Sequence, residues 1–274
     1  MSRRVHDAVA RRYNSESGII GEKNRLFFER LRTRLGRVPG PVRVLDLGVG
    51  DGALLARLAA EGLPVVMTGL DVSPAMLAKA AGRVPMTPVL ARAEESSHHL
   101  PAGAFDLVLA HFVLAYVPAA ALFREARQLL APGGRLSVVA TTTAGGAPFY
   151  AQLDKHFRSG WHPGRRAIGW AADRALARAH IPSGGEALAR EAEAAGLAVL
   201  ARETLAMPVR FDTPADAYRF GIDEGWAVGF MAVPLPLSFM QAVVRWGLAQ
   251  CDYPFEVTQV IEVMEFGLAG EGVA

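Results

Sequence analysis

Two carboxylates, three glycines and a histidine stand where this chain could do chemistry. Asp46 lies near the end of a Val/Leu-rich run, Val42-Arg43-Val44-Leu45-Asp46-Leu47, and Gly48, Gly50 and Gly52 follow at two-residue spacing. Glycine lets the backbone turn sharply and lets a ligand lie against bare main chain. The residues after the loop, Ala53–Ala60, form helices readily, so free amides at a helix start would face an electron-rich ligand. The G-x-G-x-G spacing differs from the G-x-G-x-x-G of dinucleotide sites. A carboxylate inside a buried strand is costly without donors or a counter-charge, so Asp46 is expected to hold loop amides or a ligand cation. Asp71 ends a second apolar run, about 20 residues past the loop, where a carboxylate can accept both ribose hydroxyls of an adenosyl ligand. His111 ends another, Phe105-Asp106-Leu107-Val108-Leu109-Ala110-His111, with the side chain of a general base.

The elements that must position these residues alternate. Strands are expected at 42–47, Pro64–Asp71, Thr87–Ala91, Phe105–His111, Arg135–Thr142, Ala198–Val209 and Val257–Phe266. Helices fall between them: Ser73 is an N-cap with Pro74 at the first helical position and Gly82 at the end, Ala119–Leu130 stops at Ala131-Pro132-Gly133-Gly134, and Glu186–Ala195 stops at Gly196. This rhythm means an α/β, doubly wound, mostly parallel seven-stranded sheet, with ligands beyond the strands' C-terminal ends. Residues 1–36 read as charged helix with apolar stripes at Val5, Ala8, Val9 and Tyr13 and at Phe27, Phe28, Leu31 and Leu35, broken off by Pro39-Gly40-Pro41.

Composition narrows the partners. Hydrophobic residues make up 51% of the 274, enough for one large domain with a cap. The net charge is +2 with both signs interspersed, which leaves no basic stripe, and no nucleic-acid partner is expected. A single cysteine, Cys251, rules out an internal disulfide or thiolate cluster and fits a cytoplasmic setting; no metal site is expected. The start, Met-Ser-Arg-Arg-Val-His-Asp, leads into no apolar signal segment, and no apolar run is long enough for a membrane span.

Val-Leu-Asp-Leu-Gly-Val-Gly-Asp-Gly, Gly-Leu-Asp-Val-Ser-Pro-Ala-Met-Leu, Phe-Asp-Leu-Val-Leu-Ala-His and Leu-Ala-Pro-Gly-Gly-Arg-Leu, in that order, resemble the class I S-adenosylmethionine-dependent methyltransferases, with the flavour of the ubiquinone/menaquinone-type small-molecule subgroup. The likeness spans roughly residues 38–142. It implies a Rossmann-like methyltransferase fold with helical cap insertions and S-adenosylmethionine as cofactor. It further implies that Asp46 and Gly48 face the methionine part, that Gly50 is also a cofactor-binding residue, that Asp71 takes the ribose, and that Val72 and Met76 flank the adenine. Ala93 and Glu94 would meet the adenine edge, and the backbone of Ala110 or His111 would accept from the cofactor's amino group. Tyr13 resembles the tyrosine that closes over the cofactor in relatives. Relatives often read Asp-Ala after strand three; this chain reads Arg92-Ala93-Glu94, so backbone groups or Glu94 stand in.

The organisation that follows is an N-terminal helical lid (1–36), a cofactor-binding core (37–144), a helical cap insertion (145–182), a continuation of the core (183–211), a second helical insertion (212–254) and a final strand with tail (255–274). The insertions hold many aromatic and methionine residues, so a bulky, apolar small-molecule acceptor is expected, a natural-product or isoprenoid/quinone-like metabolite. Tyr150, Trp161, Glu224 and Trp226 are the candidates to line its pocket. Two alternatives remain: an anionic acceptor bound by His156, Arg158, His162, Arg165 and Arg166, or a cofactor-binding regulator without catalysis. A homodimer is compatible with all of these.

Overall fold

The computed structural model describes Asp7, Ala10, Phe28, residues 41–144, 148, 151–152, 154–158, 164–166, 169–170, 173, 177, 179–223 and 236–270. Seven strands form one sheet: β1 (Val42–Leu47), β2 (Val65–Asp71), β3 (Thr87–Leu90), β4 (Phe105–His111), β5 (Leu130–Thr141), β6 (Leu197–Phe211) and β7 (Phe255–Leu268). Their spatial order is β3-β2-β1-β4-β5-β7-β6, and only β7 runs antiparallel to its neighbours. The order reverses between β1 and β4, which opens a crevice at the C-terminal strand ends.

Both faces of the sheet are covered, which explains why the central strands read as continuous apolar runs. On one face Val44, Leu107 and Leu109 pack with α1 (Ala53–Ala60), α2 (Pro74–Arg83) and Phe28. On the other, Leu45, Val108 and Val138 pack with α3 (Ala119–Leu129) and α4 (Gly185–Ala194). Adjacent residues of one strand thus serve opposite cores, as the two-residue period of a strand requires.

Several boundaries differ from expectation. Helix α2 runs through Gly82 to Arg83, because Gly82 adopts no left-handed turn; extended Val84, held so by Pro85, ends it. Strand β5 starts at Leu130, ahead of the Pro132-Gly133-Gly134 break, through an irregular pairing with Phe105. A Cβ on Gly134 would lie 2.8 Å from the Ala131 carbonyl oxygen, so glycine permits this close approach. Strands β6 and β7 are longer at both ends than their patterns suggest.

That extra length has a purpose. The last β5 pair is Thr141 with Ile261, yet β6 and β7 stay paired from Ala206 and Val260 out to Phe211 and Phe255. A two-stranded ribbon therefore projects roughly 20 Å past the ligand-binding edge. Phe211, Phe220, Tyr253 and Phe255 cluster near its tip, and α5 (Pro214–Tyr218) and α6 (Leu237–Leu248) are mounted on it. Asp252, just ahead of β7 near the ribbon's tip, accepts from Lys155 and His156, while Gln152 exchanges hydrogen bonds with its backbone at 3.1 and 3.3 Å. Phe157 meets Trp246 edge-on at 6.4 Å. The two insertions are thus docked on each other. No helix among the described residues is long and apolar enough to cross a membrane.

Candidate active site

The glycine loop after β1 is built on left-handed backbone, with φ of +86° at Gly48, +55° at Gly50 and +75° at Gly52. Side chains resist this conformation, and a Cβ on Gly52 would also lie 2.9 Å from Ala80 Cα in α2. The loop hangs from β2 through its backbone: Gly48 N and Val49 N both donate to the Leu70 carbonyl. Asp51 is buried, with Arg83 Nη1 at 3.2 Å, and so ties the loop to the end of α2.

Asp71 is the keeper of the cradle. Its Oδ2 accepts from Gly50 N at 3.0 Å and its Oδ1 from Ser73 N at 2.8 Å. A carboxylate offers about four acceptor positions, and these two amides fix its orientation. Ser73 caps α2 by accepting from Met76 N at 3.1 Å. The two readings of Asp46 therefore separate: the loop amide goes to Asp71, and among the described residues no donor falls to Asp46. Burial, with the Asp71 charge beside it, pushes the Asp46 carboxyl up to about 7. A buried acid facing another acid gains from a nearby cation, which would favour its charged form.

This gives a pH expectation. The folded chain without ligand keeps a proton on Asp46 between about pH 4 and 7 that the unfolded chain has released. Stability therefore falls as pH rises through that window, by up to about 1.4 kcal/mol per unit from this group. Thermal midpoints of the ligand-free protein should drop over that range, and Asp46→Asn should flatten the dependence. An unchanged slope in the variant would remove Asp46 as its source.

The other predicted cofactor residues line the same edge. Val72 is half-buried and Met76 fully buried at the start of α2. Ala93 is buried and Glu94 lies in the 3-10 turn Ala93–His98; the Glu94 carboxylate is paired with Arg92, so its charge is already in use. Ala110 and His111 close β4, next to Val138 and Val139 of β5. The His111 ring meets Ser137 Oγ at 3.0 Å, and burial pulls its pKa down to about 3, so it is neutral. Burial also pushes the Tyr116 phenol up to about 12, which suits packing rather than proton transfer.

Several expectations lie outside the described residues: Tyr13, Tyr150, Trp161, His162, Glu224 and Trp226. The lid at 1–36 is represented by three residues. Asp7 Oδ1 accepts from Ser73 Oγ, Lys79 Nζ donates to the Ala10 carbonyl at 3.1 Å, and Phe28 is in the core. The N-terminal segment thus reaches α2 beside Asp71. Sequence reasoning missed the Asp7–Ser73 contact, the Asp51–Arg83 tie and the Ser137 partner of His111. Only the second carried a signal, an acid inside the glycine loop.

Comparison with known proteins adds to this geometry. Residues 45–138 match a family model described as a methyltransferase domain. The chain is 36% identical over 168 residues to a demethylmenaquinone methyltransferase of Beutenbergia cavernae, covering 60% of this chain and 68% of that one. It is 41% identical over 119 residues to a trans-aconitate 2-methyltransferase of Methylobacterium radiotolerans, with 40% of this chain and 45% of the relative covered, so it spans under half of that protein. Among solved structures, the [4+2]-cyclase SpnF superposes with a TM-score of 0.56 at 20% identity, over 93% of this chain and 85% of that one; at that identity the likeness speaks for the fold.

Proposed function

The chain belongs to the class I S-adenosylmethionine-dependent methyltransferases, and from that premise we propose that it methylates a small, bulky and apolar acceptor, a natural-product or isoprenoid/quinone-like metabolite. S-adenosylmethionine, when bound, supplies an electrophilic methyl group on a sulfonium. The chain's own residues hold and orient it. Gly48 and Gly50 offer bare backbone, Asp46 the counter-charge for the ammonium, and Asp71 the acceptors for the ribose. Val72 and Met76 flank the adenine, Ala93 and the Glu94 backbone meet its edge, and the carbonyl of Ala110 or His111 takes a hydrogen bond from the amino group. Tyr13 covers the cofactor.

The acceptor class rests on how the cap spends its charges. Lys155 and His156 are held by Asp252, and Arg158 by Asp154 and Asp173. Arg165 donates to Gln250 at 2.8 Å. Cations already paired within the cap offer little to an anionic substrate, which favours an apolar one. Tyr150, Trp161, Glu224 and Trp226 line that pocket in this reading. The trans-aconitate relatives support the competing anionic acceptor by name, with exposed Arg166 as its remaining cation among the described residues. Methyl-labelled cofactor offered with a demethylmenaquinone-type quinol and with trans-aconitate separates the two. Label is expected in the organic extract of the quinol reaction; label in trans-aconitate alone would overturn the apolar reading.

His111 is the catalytic residue in this scheme. Its neutral ring carries a lone pair at physiological pH but is a weak base, so it takes the acceptor's proton late, as methyl arrival makes that proton acidic; alignment and exclusion of water do the rest. His111→Ala should slow transfer by ~100-fold while leaving S-adenosylhomocysteine affinity in place, because the cofactor contact is a backbone one. Since the ring stays neutral well below pH 5, it adds no acidic limb to the rate profile between pH 5 and 8. Wild-type turnover in the variant would leave alignment as the whole mechanism.

A further inference from the structure

Phe112, the residue after His111, has φ of +59°, the one positive value at a non-glycine position among the described residues. A bulky side chain in this conformation is strained and persists only where its surroundings over-determine it. Here they do. Phe112 N donates to the Val139 carbonyl at 2.7 Å, which fastens it to the end of β5. Its side chain packs against the cluster of Val139, Ile261 and Val263. The chain then reverses: Tyr116 N donates to the Val113 carbonyl at 2.9 Å and Leu114 is fully buried. The reversal seats Val113 on the glycine loop, where a Cβ on Gly48 would lie 3.2 Å from Val113 Cγ2.

We infer that Phe112 is a positioning residue for cofactor binding: its left-handed turn, clamped from the β5–β7 side, sets Val113 against Gly48 and so fixes the opening of the glycine loop. The inference rests on the placement of the cofactor at Gly48 and Gly50 proposed above. Strain stored at one side chain is exchanged for order in a loop that touches the ligand through backbone alone.

The test crosses affinity with stability. Phe112→Ile keeps an apolar side chain but resists the left-handed turn; Phe112→Gly loses the ring but adopts the turn freely. S-adenosylhomocysteine binding, measured by calorimetry on the full chain, should weaken about threefold to tenfold in Phe112→Ile, because a β-branched side chain resists the left-handed turn more than phenylalanine does. Phe112→Gly should bind several-fold more tightly than Phe112→Ile even though, lacking the ring, it melts at the lower temperature. Affinity and melting temperature falling in step across both variants would mark Phe112 as plain packing and overturn the inference. Should Phe112→Ile not fold, Val113→Ala removes the contact with Gly48 and keeps the turn: weaker binding supports the inference, unchanged binding overturns it. Wild-type chain that fails to bind S-adenosylhomocysteine would instead defeat the cofactor placement itself.

Discussion

Asp71→Ala is expected to weaken S-adenosylhomocysteine binding by ~100-fold or more, the combined scale of charge-assisted hydrogen bonds. Two losses compound. In the proposed placement the ribose hydroxyls lose a charged acceptor, and the loop loses the group that holds Gly50 N at 3.0 Å and Ser73 N at 2.8 Å. The cradle thus loosens while its principal contact disappears. Asp71→Asn keeps one acceptor oxygen and should fall between wild type and alanine. Calorimetry on folded protein reads both variants. An Asp71→Ala chain that binds as wild type does would place the ribose elsewhere.

Gly52→Ala is expected to cost about 2–5 kcal/mol of folding stability, from a left-handed alanine and an overpacked helix contact. The backbone stands at φ +75°, and the new methyl would sit 2.9 Å from Cα and Cβ of Ala80. Because Ala80 lies in α2 and is fully buried, the contact cannot relax without moving that helix off β1 and β2. A control isolates the second cost: Gly62 has φ +66° with nothing within 4 Å of a built Cβ, so Gly62→Ala meets only the backbone penalty. Denaturant midpoints with unchanged slopes would give the difference. Equal losses at the two positions would show that α2 yields freely.

Most of the central sheet was legible because its signals are local. The run Val42–Leu47, its glycine loop and Ser73-Pro74 each announce one element through neighbouring residues, and the spacing from the loop to Asp71 places an acid at the next strand end. What escaped depends on partners distant in the chain. Leu130 joins the sheet because Phe105 lies across from it, which no breaker rule for Pro132-Gly133 can reveal. Ser137 meets His111 through the register of two strands. The division of labour between Asp46 and Asp71 likewise needed geometry, since both residue types can hold loop amides.

The interleaving of β7 between β5 and β6 has a kinetic consequence. Strand β6 has no partner on the sheet until β7, which follows it in the chain, slides in between. A chain emerging in order can assemble its five parallel strands early, while β6 waits as an unsatisfied ribbon edge whose exposed amides invite the wrong neighbour. Closure then demands pairings separated by more than a hundred residues, such as Thr141 with Ile261, the slow kind of contact. Strand β7 acts as a keystone: the ribbon past the C-terminal strand ends can form only once β7 has joined β6, after the glycine loop and Asp71 already have their places among the earlier strands.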